Sequence, residues 1–485
     1  MNAPIRKLGL VIGFLFTSLL VSTTIIQGFQ AQSINARADN RRTLLATYGA
    51  DRGEILVASS PVAQSRETDN QYQRIRTYPE GPRYAHATGY FSFIFGAGAG
   101  IELAENELLN GSSDRLFYRR ISDVFAGQRP SGVNIELTID PVVQQAAAEA
   151  LGGQPGAAIA LDPSTGAILA MVSSPTYDPN VLASHDMRAV EAAWTELNED
   201  EDQPMLNRTI SQTYPPGSTF KVVTAAAALS TGRYTLESEL DAPAVLDLPQ
   251  TDADLPNYGG AICDPSGVQS MIEALAISCN TAFGSLGLEL GADVIREQAA
   301  RFGIGDALRV PMPVARSSFP SEDLDPPSLA QSAIGQRDVR VTPLQVAMMS
   351  AAIANRGVVM QPYLVDSVLG NDLTELDSTS PQQLSEAVDP DVAGQLSLMM
   401  QRVVETGSGR SAQIDGVAVA GKSGTAEVGE GRSPHAWFTA FAPAEDPQVA
   451  VAVVVENGGD TTSEVSGGRV AGPIARQIME AVLRS

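Results

Sequence analysis

The chain has 485 residues, 44% of them hydrophobic and 18% charged. This is an ordinary globular composition, long enough for two or three domains, and it excludes a chain that is disordered or membrane-embedded along most of its length. Lys and Arg number 32 against 56 Asp and Glu, a net charge of −24; so acidic a surface repels phosphate backbones, and nucleic acid is not an expected partner.

No charge occurs between Leu8 and Ala36, and Leu8 to Phe29 is apolar and long enough to cross a bilayer, which takes about 20 residues. It exceeds the roughly 7 to 15 residues of a cleavable signal core, and no small-x-small cleavage site follows, so an uncleaved single-pass anchor in the cell membrane is expected. Arg6 and Lys7 precede it, and a basic flank on the short side predicts a cytoplasmic N-terminus with everything beyond the anchor outside the cell. The chain is read as 1–35 N-terminus and anchor, 36–150 a smaller β-rich module, and 151–485 the main domain. The module holds Arg52-Gly53-Glu54-Ile55, a Tyr/Arg-rich stretch over 72–84, and glycines 96, 98 and 100. Those glycines do not form G-x-G-x-x-G and read as a tight turn.

From Gly156 the sequence AAIAL, a turn at 162–166 and AILAMVSS predict a β-hairpin. Helix-like stretches follow at 219–230, 268–290 and 343–355, and the acidic run Glu199 to Asp202 reads as a solvated loop. Apolar runs at 417–428, 436–442 and 449–455 predict three more strands, and 470–483 an amphipathic helix. Strands at both ends with helices between predict an α+β domain. Its antiparallel sheet, flanked by helices, takes its first hairpin from the start of the domain and its last strands from the end.

The cations are unevenly split: 29 are Arg and three are Lys, at 7, 221 and 422. Arg never releases its proton in a protein, whereas burial can turn Lys into a neutral amine base, so Lys221 and Lys422 are candidates for chemistry. Ser218 follows Pro215-Pro216-Gly217 at a predicted helix start, with Lys221 one turn on along the same face. Such a pair offers a nucleophile, a base and the positive end of a helix dipole, although Ser218 alone would also serve as an N-cap. Ser278-Cys279-Asn280 closes a helical stretch, and Lys422-Ser423-Gly424-Thr425 lies in the strand region. Gly416 to Ser423 matches the phosphate-loop pattern by letters only. A polar segment precedes it, its middle is strand-like and Gly424 discourages a following helix. Two Cys and three widely separated His show no metal-ligand spacing, so neither a metal nor another cofactor is expected.

Ser-x-x-Lys, Ser-x-Asn and Lys-Ser/Thr-Gly in this order form the set of serine β-lactamases and penicillin-binding proteins. The chain resembles the class B penicillin-binding proteins, most closely their short actinobacterial type. The likeness runs through LNRTISQTYPPGSTFKVVTAAAAL at 206–229, ALAISCNTAFGSLGLELG at 274–291, VTPLQVAMMSAAIANRG at 341–357, AGKSGTAEV at 420–428 and HAWFTAFAP at 435–443. It extends to Arg52–Ile55 and to 88–111 in the N-terminal module. One departure is Gly335-Gln336-Arg337-Asp338, where the family has Gly-Gln-Gly, which predicts a differently shaped loop beside the site.

The resemblance implies a transpeptidase domain at 151–485 that cross-links peptidoglycan stem peptides, with β-lactams as acylating inhibitors and roles in cell shape and division. It implies Ser218 as nucleophile, Lys221 as base, and Ser278 with Lys422 as proton relay. Asn280 would hold the substrate amide, Ser423, Gly424 and Thr425 the substrate terminus, and the backbone N–H groups of Ser218 and Thr425 the oxyanion. A polytopic glycan polymerase is the implied partner. Cys263 and Cys279, 16 positions apart on the exported side where disulfides persist, are expected to be bridged, with two buried thiols as the alternative. Rival functions are a D,D-carboxypeptidase, a β-lactamase, which the anchor and module disfavour, and a noncatalytic scaffold of the wall-building machinery.

Overall fold

The computed structural model describes residues 2–30, 49, 51–116, 131–321, 323–429, 432–458 and 465–484. The start of the expected 36–150 module, through 48, and its 117–130 stretch lie outside the described residues. Asn2–Thr24 is α-helical and Ile25–Phe29 continues it in a wider π turn. The apolar span Pro4–Gly28 has 25 residues and a mean hydropathy of 2.1. At 1.5 Å per residue it reaches about 37 Å, beyond the roughly 30 Å of a bilayer's hydrocarbon. Leu10, Phe14 and Leu19 point outward and are not covered by protein; among the described residues this is the one helix long and apolar enough to cross a membrane.

The main sheet has five antiparallel strands in the spatial order 420–426, 435–442, 449–455, 156–161, 168–174. The early hairpin thus pairs directly with the last strand, as the sequence reading expected. Val449 to Val455 is VAVAVVV, every residue buried, because both faces of the sheet are covered. Val449, Val451, Val453 and Val455 pack with Ile474, Ile478 and Met479 of the C-terminal helix Gly467–Arg484 and with helix Pro141–Leu151. Ala450, Ala452 and Val454 face the opposite layer, with helices Lys221–Ser230, Pro343–Ala354 and Pro390–Glu405. Period-two alternation therefore sorts one apolar run into two cores. Helix Pro343–Ala354 sits between the sheet and other helices and is buried along most of its length, so it is apolar on all sides. Thr342 starts it by accepting from Gln345 N, with Pro343 where a missing N–H costs nothing.

A second sheet has six strands in the order 375–378, 365–369, 134–137, 55–57, 60–67, 74–77. Ile55–Val57 runs parallel to Asn134–Leu137, and the hairpin at 365–378 reaches in from far down the chain to extend the sheet. Under this sheet Glu102 is fully buried and takes Arg52 and Arg76 at 2.6 Å each, while Tyr78 donates to it at 3.0 Å. Burial alone would raise the Glu102 carboxyl, but the two guanidinium groups hold it below the ordinary carboxylate value. Arg52 of the RGEI element thus anchors the module.

Candidate active site

The nucleophile candidate is set on a tight turn. Gly217 has φ +53 and donates to Gly335 O at 2.9 Å; a Cβ there would stand 2.5 Å from Thr425 O, so only glycine lets the turn approach the strand. Gly217–Phe220 forms one 3₁₀ turn that leads into helix Lys221–Ser230. This lifts Ser218 to a cavity wall while Lys221, fully buried, lies beneath it.

The helix-like stretch expected at 268–290 is broken here. Met271–Ala276 and Asn280–Leu290 are separate helices, and Ser278 between them has φ +64. No Gly or Pro marks the break. Asn257, which the sequence reading missed, stabilises it by accepting from Asn280 N at 2.7 Å and Thr281 N at 3.1 Å. Cys279 caps the second helix through Sγ and is bonded to Cys263, so the expected disulfide ties the 257–263 loop to Ser278 and Asn280.

Lys221 Nζ donates to Ser278 O and Asn280 Oδ1, both at 2.7 Å, and stands 3.4 Å from Ser278 Oγ. Lys422 Nζ, from the edge strand Ala420–Ala426, donates to Ser278 Oγ at 2.9 Å and to Ser423 O at 2.8 Å. The Ser278 hydroxyl therefore lies between two buried amines, and among the described residues no carboxylate pairs with either lysine. Burial pushes the Lys422 ammonium down to about 7. Burial and then the nearby Lys422 charge push Lys221 well below its ordinary value. Ser218 Oγ makes no hydrogen bond to Lys221 among the described residues; the amine is turned toward Ser278 and Asn280.

A cavity of about 1140 Å³ is lined by Ser218, Ser278, Asn280, Ser423 and Thr425. Gly424 is not part of its wall. A Cβ there would meet Thr219, Pro216 O and Trp437 at about 3 Å, so Gly424 lets the strand pass under the nucleophile turn. Ser408, also missed from sequence, lines the cavity and bonds Ser423 Oγ at 2.7 Å. Tyr258 donates to Val465 O at 2.6 Å across the same cavity. No Ser408 or Tyr258 motif exists to be read; both are single residues brought in by loops. In the loop that departs from Gly-Gln-Gly, Arg337 has φ +59. That is the region where glycine is free of strain, so the backbone follows a course glycine could take and the departure lies in the side chain. No group of His, Cys, Asp and Glu suited to a metal occurs among the described residues.

A family model described as "Penicillin binding protein transpeptidase domain" matches residues 156–480, and one described as "Penicillin binding protein A dimerisation domain" matches 52–135. The chain belongs to the penicillin-binding protein transpeptidases. It is 45% identical to the peptidoglycan D,D-transpeptidase PbpA of Mycolicibacterium smegmatis, over 100% of this chain and 99% of that protein. The PbpA of Mycobacterium tuberculosis is 44% identical over the same shares. The solved ceftriaxone acyl-enzyme of M. tuberculosis penicillin-binding protein A superposes with a TM-score of 0.87 at 45% identity, covering 90% of this chain and 100% of that one. The penicillin G acyl-enzyme of the same protein gives 0.84. Both the transpeptidase fold and the N-terminal module expected from the motifs are therefore those of this family.

Proposed function

We propose that this penicillin-binding protein is a peptidoglycan D,D-transpeptidase working through an acyl-enzyme on Ser218. The observation that carries the reading is the Ser278 hydroxyl held between the Lys221 and Lys422 amines beneath a cavity with Ser218 at its wall. A neutral Lys221 amine has two N–H bonds and one lone pair. Its two shortest partners, Ser278 O and Asn280 Oδ1, are acceptors that use both N–H bonds and leave the lone pair to take a proton. Ser218 Oγ then attacks the penultimate D-Ala carbonyl as its proton passes to Lys221. The backbone N–H groups of Ser218 and Thr425 receive the oxyanion. Collapse breaks the terminal peptide bond, and the leaving D-Ala amine takes its proton from Ser278, which Lys422 resupplies. Lys422 recovers that proton from Lys221 through Ser278 Oγ, which leaves Lys221 neutral again; the amine of a neighbouring stem peptide then attacks the Ser218 ester and gives a proton to Lys221, which returns it to Ser218 Oγ as the ester breaks and the cross-link forms. One peptide bond is broken and one formed for each D-Ala released, so no energy source is required.

The hydroxyls of Ser423 and Thr425 suit the substrate's terminal carboxylate and Asn280 its amide, with Gly424 as the close-packed link between them. β-Lactams acylate the same serine; the acyl-enzymes of the M. tuberculosis relative support this. Arg6 and Lys7 support a cytoplasmic N-terminus and an extracytoplasmic catalytic domain, which the Cys263–Cys279 bridge also favours. On this reading 1–35 is the anchor, 36–150 a non-catalytic module and 151–485 the transpeptidase domain, working beside a polytopic glycan polymerase. The test is intact mass of the protein after benzylpenicillin, for wild type and Ser218→Ala. A long-lived Ser218-dependent adduct is expected; an adduct lost within seconds indicates a β-lactamase, and none at all a scaffold.

A further inference from the structure

The cavity at Ser218 continues into a second compartment of about 630 Å³, and the two share Asn280, Ile334, Gln336 and Glu427 in their walls. Three arginines, Arg337, Arg340 and Arg432, line the second compartment and none but Arg432 the first. In a chain of net charge −24, three cations there face two carboxylates of the same wall, Asp254 and Glu427. Asp338 stands 3.8 Å from Arg337 Nε, beyond hydrogen-bond reach, and Asp325 also lies near Arg337.

Arg337 carries the argument furthest. Its φ of +59 costs about 1–2 kcal/mol in a residue with a Cβ. Glycine would avoid that cost but would offer no cation; the Arg337 side chain is half exposed on the cavity wall. Arg340 is held in place by donating through Nη1 to Arg337 O and Val339 O, and among the described residues its Nη2 has no bond. Arg432 is oriented by Val428 O.

We infer that Arg337, with Arg340 and Arg432, forms a carboxylate-binding subsite that selects a donor stem peptide with an acidic residue upstream of its D-Ala-D-Ala terminus. This rests on the Ser218 transpeptidase reading. A peptide with its terminal carboxylate at Ser423 and Thr425 adds alongside the edge strand Ala420–Ala426, which has a partner strand on one side only. Its upstream residues, about 3.3 Å apart, then pass Glu427, Val428 and Gly429 into the second compartment, whose wall holds all three. The planar forks of arginine match a carboxylate there.

The test uses the full-length protein with paired N-acyl-X-D-Ala thioesters, in which X bears a side-chain carboxylate or the matching carboxamide. Wild type is expected to favour the carboxylate by roughly tenfold in kcat/KM, as a charge-assisted contact allows. Arg337→Gly, which suits the backbone, should bring the ratio to within about twofold of unity, and Arg337→Glu should favour the carboxamide. Equal rates in wild type, or an unchanged ratio in Arg337→Gly at an undiminished melting temperature, would overturn the subsite. If wild-type protein forms no Ser218 adduct with benzylpenicillin, the transpeptidase reading fails first; if it does, a flat ratio counts against the arginines alone.

Discussion

Replacing Lys422 with Met should stabilise the protein at neutral pH while removing its activity. Lys422 is fully buried, and burial lowers its ammonium from 10.5 to about 7. At 1.36 kcal/mol per pH unit this is about 5 kcal/mol of folding free energy forgone at neutral pH. An unfolded lysine keeps its proton up to about 10.5, while the folded one releases it above about 7. Across that window the unfolded state binds more protons, so wild-type stability rises with pH by about 1.4 kcal/mol per unit, and below it the deficit is constant. Met carries no such dependence. Part of its gain is offset because Ser423 O loses its donor, worth about 1–3 kcal/mol, while Ser278 Oγ keeps Lys221 Nζ at 3.4 Å. The variant should thus be more stable by about 2–4 kcal/mol at pH 7, with the advantage shrinking steadily toward pH 10. Denaturant unfolding of both proteins at pH 7, 8 and 9, followed by fluorescence of buried Trp437, measures this directly. A variant less stable at pH 7, or a difference that does not change with pH, would refute the reasoning that burial weakens this lysine's hold on its proton.

Lys221→Arg keeps a cation but cannot supply a neutral amine, so benzylpenicillin acylation should fall by about a thousandfold, as seen in stopped-flow rates. Gly335→Ala places a Cβ 2.2 Å from Gly217 O and displaces the nucleophile turn; the acylation rate should drop by about a hundredfold. Glu102→Gln leaves the buried Arg52 and Arg76 without their counter-charge, and the unfolding free energy should fall by about 3–5 kcal/mol. Thermal denaturation followed at the N-terminal sheet would show this loss.

Much of the catalytic domain could be read from sequence because its strands are covered on both faces and appear as unbroken apolar runs such as Val449 to Val455. The two catalytic lysine candidates stood out because Arg had replaced nearly every other Lys. What stayed hidden depends on distant pairings. Glu102 meets Arg52 and Arg76 only when strands and helices 26 to 50 residues apart fold together. The edge strand Glu375–Ser378 is exposed throughout and so has no hydrophobic period. The break at Ser278 comes from a left-handed backbone held by Asn257 and a disulfide, not from a helix-breaking residue. Ser408 and Tyr258 reach the cavity from loops whose course no local spacing specifies.

Transpeptidation requires that the Ser218 ester be passed to an amine and not to water. Nascent peptidoglycan strands incubated with the full-length protein, digested with a muramidase and separated by mass, measure this directly. Cross-linked dimers with one D-Ala released per cross-link are expected, absent with Ser218→Ala; D-Ala release without dimers would contradict transpeptidation and point to a carboxypeptidase.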